Sequence, residues 1–154
     1  MKTKSIAVAL VFCFAGALLS LAQDSQMGSW KLNEAKSMFS AGSPKTMSSS
    51  YMADGDSVKV TLDGMGMDGK PSHSTWTGKF DGKDYPVMGD SIQTTRSYTK
   101  VDDHTVSIIV KNGDKTILTG TITISADGKS RTVKASGMAP GDKKYEYTAV
   151  YDKQ

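Results

Sequence analysis

Met65, Met67, His73 and Trp76 group two thioethers, an imidazole and an indole in one short stretch of the chain. Thioether and imidazole ligands suit a soft ion such as copper(I), and an indole face attracts a cation. Methionine also stands at 27, 38, 47, 52, 88 and 138, which fits the ordinary use of this side chain as adaptable filler. The chain is therefore read as carrying no metal and no cofactor.

The usual means of catalysis are scarce. The sequence has no Gly-x-Ser-x-Gly elbow, and its one cysteine, Cys13, falls in an apolar N-terminal run. His73 and His104 are too far apart for a zinc pair of known spacing. Of 16 acidic residues only Glu34 and Glu146 are glutamates, and nine of the fourteen aspartates adjoin a glycine, where turn chemistry accounts for them. Asp63 to Gly69 lacks the alternating oxygen ligands of a calcium loop. This points to a small-molecule binding protein, not an enzyme, with an envelope structural or interaction protein without ligand as the alternative and a copper-handling protein as a distant third.

Binding chemistry centres on Trp76, Arg96, Tyr98 and Tyr147. Period-two counting puts Arg96 on one face with Ile92, Thr94 and Tyr98. Were that face to turn inward, the guanidinium would anchor a carboxylate or phosphate, and the aromatic rings would supply flat walls. Were it to turn outward, Arg96 would be solvated, and periodicity leaves both open.

The elements that must position these side chains are strands. Seven Asp-Gly, Asn-Gly or Pro-Gly signals, at Gly55, Gly64, Gly69, Gly82, Gly113, Gly128 and Gly141, break the chain into short alternating runs. Val58, Val60 and Leu62, then Val106, Ile108 and Val110, then Leu118, Ile122 and Ile124 set the period of two. Asn33 caps a helical turn expected through Phe39. The segment 83–87 is expected at a sheet edge because of Pro86. Asp-Gly-Lys recurs at 68–70, 81–83 and 127–129 with unlike flanks, as reused turn chemistry would give. The fold class is all-β: an antiparallel up-and-down meander of about eight strands closing into a barrel, with a two-sheet sandwich as competitor. Gly120, Ala135, Gly137 and Ala149 either open space inside it or admit tight coiling.

Residues 1–22 read as an export signal: Lys2 and Lys4, an uncharged apolar run over 6–19, then Ser20-Leu21-Ala22. The run is too short for a membrane span, which takes ~20 residues. Residues 23–154 then form a single domain, with no cysteine and 17 basic against 16 acidic residues. That balance argues against nucleic acid as a partner. The expected protein is a monomer, periplasmic or secreted.

Gly28-x-Trp30-Lys31-Leu32-Asn33 opening the first strand, with Lys36-Ser37, Asp81 to Pro86, Asp127-Gly128-Lys129 and the closing Val150 to Lys153, resembles the lipocalin-like (calycin) barrels and a group of exported bacterial lipocalin-like proteins. The resemblance covers nearly all of residues 28–153. It implies a barrel that holds a small apolar or amphipathic ligand, with the Trp30 indole packed on an arginine late in the chain. The arginines available are Arg96 and Arg131, and both precede the final strand.

Overall fold

A computed structural model describes residues 25–89 and 92–154; the export-signal reading of residues 1–22 lies outside them. The chain runs β1 (Gly28–Leu32), a 3-10 turn (Glu34–Lys36), β2 (Met38–Phe39), β3 (Lys45–Asp54), β4 (Ser57–Met65), β5 (Pro71–Gly78), β6 (Tyr85–Met88), β7 (Thr95–Lys100), β8 (Thr105–Asn112), β9 (Lys115–Ile124), β10 (Ser130–Ala139) and β11 (Lys143–Lys153). Each strand from β3 to β11 pairs antiparallel with its sequence neighbour. β1 lies between β3 and β11 and closes the ring, pairing Trp30 with Lys153 and Leu32 with Tyr151. Closure removes the free edges, and the sandwich alternative with them.

Among the described residues the ring has ten strands, and β2 adds an eleventh segment beside β11, with Tyr147 opposite Phe39. The excess over about eight comes from short strands that closure recruits. β6 is one of them, and it is not an edge: it pairs with β5 through Val87 and Met88, and with β7 through Tyr85 and Pro86. The Val87 N–H donates to Thr94 on the β7 side. Pro86, having no N–H, falls on the β5 side just where that ladder ends.

The helical turn is also shorter than its cap suggests. Asn33 does accept from the Lys36 N–H at 3.2 Å. Ser37 then ends the turn: its hydroxyl donates to the Asn33 carbonyl at 2.7 Å and accepts from the Val150 N–H at 2.9 Å. Pairing with β11 takes over from there.

Six of the seven turn signals are turns, with positive φ at the glycine. In all three Asp-Gly-Lys repeats the aspartate accepts from the lysine N–H, at 3.1, 3.1 and 3.0 Å, so the repetition is turn chemistry. Gly64 is the exception. It sits inside β4 against a bulge in β3, where a Cβ would run into the backbone of Lys45.

The core fills the ring interior with Trp30, Tyr51, Val58, Val60, Trp76, Tyr98, Val106, Ile122, Ile124, Ala149 and Tyr151. Trp30 is 1% exposed. Its truncation to alanine should therefore cost about 3–5 kcal/mol, measured by urea unfolding. A loss under ~1 kcal/mol, the range of surface substitutions, would contradict this packing.

Candidate ligand-binding end of the barrel

The strands run between two unlike ends. Gly28, Gly55, Gly128 and the carboxyl-terminal Gln154 lie at one, and the turns at Gly69, Gly113 and Gly141 at the other.

The first end is sealed. Arg131, only 2% exposed, enters from β10 and faces three aromatic rings: Trp30 at 4.9 Å, Tyr51 at 4.7 Å and Tyr151 at 5.0 Å. One guanidinium nitrogen donates to the Ser49 hydroxyl. The Trp30 indole N–H donates to the Gln26 carbonyl at 3.0 Å, drawing the residues before β1 across the opening. The arginine that packs on Trp30 is thus Arg131, from the penultimate strand and not the final one.

Above this plug sits an aromatic floor. Trp76 and Tyr98 meet edge to face at 4.9 Å, Phe80 stacks on Tyr98 at 4.9 Å, and Tyr85 meets Trp76 at 5.7 Å. The Trp76 indole donates to the Arg96 carbonyl at 2.9 Å. Trp76 and Tyr98 are each 1% exposed, so neither lines an open surface.

Toward the second end the interior loosens. Along β4, Val58 and Val60 are sealed and Leu62 is half-buried; along β8, half-buried Ile108 lies between buried Val106 and Val110. On β9, Ile124 and Ile122 give way to half-buried Gly120 and Leu118, and on β10 Val133 and Ala135 give way to half-buried Gly137; on β11, half-buried Tyr147 lies between buried Ala149 and Tyr145. Phe39 on β2 stacks on Tyr147 at 5.6 Å and flanks this opening, with the Lys45 ammonium 5.2 Å from its ring. Arg96 lies between floor and opening, buried, and close enough to Tyr98 and Tyr147 for its charge to favour their ionised forms. The Arg96 face is therefore inside. All four candidate residues share one interior, with Arg96 and Tyr147 toward the open half.

The small residues do not open a chamber. A Cβ at Gly120 would stand 2.5 Å from the Lys134 carbonyl oxygen, and one at Gly137 2.5 Å from that of Ile117. They admit close coiling of β9 on β10. Two hollows, of about 530 and 810 Å³, run along β9–β11, and exposed Thr119, Ser136 and Glu146 border both. The charged residues of their walls, Lys134, Lys144 and Glu146, are all exposed, whereas Arg96 is buried.

Sequence reasoning missed Phe39, which it placed in the helical turn, and Arg131, whose stacking no spacing signals. His73 and His104 lie at opposite ends of the barrel, so no histidine pair forms. Among the described residues no helix is long and apolar enough to cross a membrane.

No protein-family model and no curated protein matches the chain. Among solved structures it is similar to a redesigned β-barrel, mFAP1, bound to DFHBI, at 15% identity and a TM-score of 0.47, covering 87% of this chain and all of that one.

Burial pushes the phenols of Tyr98 and Tyr147 far up, and that of Tyr151 up to about 12, with Arg131 opposing the rise in Tyr151. These groups hold their protons in the folded state after the unfolded chain loses them, near pH 10. Stability should be intact below pH 10 and fall as pH rises beyond it, until Tyr151 itself ionises near pH 12. The slope is up to ~1.4 kcal/mol per pH unit for each buried tyrosine. Urea unfolding at pH 8, 10 and 11 measures this; equal stability at pH 8 and 11 would contradict the burial of the phenols.

Proposed function

We propose that this barrel binds one small amphipathic molecule, its apolar part in the half-buried interior beneath Phe39 and Tyr147, its acidic group paired with Arg96. The observation that carries the reading is the gradient of burial along single strands, from sealed Val60 to half-buried Leu62 on β4 and from sealed Ile122 to half-buried Gly120 and Leu118 on β9. A barrel serving only as a rigid body would close both ends alike. Apolar walls of Leu62, Ile108 and Leu118 meet a ligand's chain, and Tyr147 adds a flat face with a polar tip. Arg96 supplies a planar fork that matches a carboxylate or phosphate. Trp76 and Tyr98 hold the floor below.

The role is carriage without catalysis, in keeping with the lipocalin-like resemblance. The apolar run over 6–19 behind Lys2 and Lys4 supports a place of action outside the cytoplasm, as a periplasmic or secreted monomer.

Decanoate and decanol, one apolar chain with and without an acidic group, test this by calorimetric titration. The unaltered protein should bind both and prefer decanoate. Arg96→Met should cut decanoate affinity by roughly tenfold or more, the worth of a charge-assisted bond, and leave decanol binding in place. Leu118→Trp, filling the open half, should weaken both. Binding of neither compound, or an unchanged preference in Arg96→Met, would overturn the reading.

A further inference from the structure

We infer that the ligand of the open half carries an acidic group at each end, and that Lys45 holds the outer one. The inference rests on the carrier role proposed for this end, in which Arg96 holds the inner one. It starts from where the lysines place their charge. Lys70, Lys79, Lys83, Lys100, Lys111 and Lys115 each reach an aspartate within 3.9 Å. Lys45 pairs with no carboxylate among the described residues. Its ammonium lies 5.2 Å from the centre of the Phe39 ring, which stacks on Tyr147 at 5.6 Å. All three side chains are half-buried.

Strand pairing fixes the root of this lysine. Lys45 opens β3 directly after Pro44 and stands opposite Met65 on β4. Gly64 lets the two backbones close in there, since a Cβ at that position would collide with the Lys45 carbonyl oxygen. From that root the flexible stem brings the ammonium to the ring, whose quadrupole attracts it. A carboxylate is a stronger partner than a ring, because it carries full charge and accepts hydrogen bonds from the ammonium.

The charges at this end are one-sided. Leu62, Leu118, Gly137 and Tyr147 face the open half and carry none. Asp63 and Glu146, their neighbours on β4 and β11, are exposed on the outer face. Arg96 acts on Tyr147 with its charge, and Lys45 rests on Phe39, so the stacked rings join two cations with no acid among these inward side chains. An extended chain lying along the rings meets a cation at each end. One acidic group matches one of them; an α,ω-dicarboxylate matches both. Lys45 is partly wet, so its contact adds less than that of buried Arg96.

Calorimetric titration of the full chain with decanedioate and decanoate tests this. Decanedioate should bind about three- to fivefold more tightly, the worth of a partly exposed ion pair. Lys45→Met should abolish that preference and leave decanoate affinity unchanged, whereas Lys45→Arg should retain it. Melting curves should show both variants folded, because the side chain is half-exposed. Proton NMR gives a readout independent of affinity. The Lys45 ε-methylene protons should resonate upfield over the Phe39 ring and move further with decanedioate than with decanoate. Equal affinity for the two acids, or an unchanged preference in Lys45→Met, would overturn the inference and leave the carrier role standing. So would a loss of decanoate binding in Lys45→Met equal to that of decanedioate. Binding of neither acid would overturn both.

Discussion

A guanidinium taken out of water needs either a counter-charge or a surface of polarisable electrons, and where the first and last strands meet Arg131 has the second. Its plane faces Trp30 from β1, Tyr51 from β3 and Tyr151 from β11, while Ser49 of β3 accepts one of its N–H groups. Three strands, two from the start of the described chain and one from its end, converge on this one side chain of β10. No carboxylate is buried among the described residues, so the aromatic cage carries the compensation. Trp30 fixes the cage in turn, by holding the Gln26 carbonyl across the end of the barrel.

Sealing one end this firmly lets the other differ. From the plug, β4, β9 and β10 carry branched residues in close contact, then smaller or half-buried ones as they approach the turns at Gly69, Gly113 and Gly141. Arg96 sits where packing gives way to access. Its backbone is tied to the floor through Trp76, which leaves the position of its charge set by rigid elements and not by a loop. On the proposed reading, a cation held in this way is preorganised for an acidic ligand. The phenols of Tyr98 and Tyr147 remain neutral around it and add polar contact without adding charge.

Local chemistry made much of this readable before any coordinates. Asp-Gly signals place the turns because aspartate bonds to the backbone two residues on and glycine takes positive φ, both properties of the dipeptide itself. Period two places Val58, Val60 and Val106 inside for the same local reason. What depended on tertiary pairing was not readable. Ser37 stops a helical turn because β11 offers it a partner, and Pro86 sits inside a ring because its missing donor falls where a ladder ends. Gly64 looks like a turn residue yet serves a close approach to β3. At the binding end, periodicity left the side of Arg96 open, since small and polar residues alternate on both faces of that strand. Trp76 and His73 are an odd number of residues apart, and strand parity alone separates them once β5 is known to be continuous.

The account rests on one end of this barrel being sealed and the other receptive. Amide NMR of the uniformly labelled protein, titrated with decanoate, tests that most directly. Shifts should concentrate at Phe39, Leu62, Arg96, Ile108, Leu118 and Tyr147, leaving Trp30, Arg131 and Tyr151 still. Shifts confined to the outer wall or to the Trp30 end, or none at all, would contradict it.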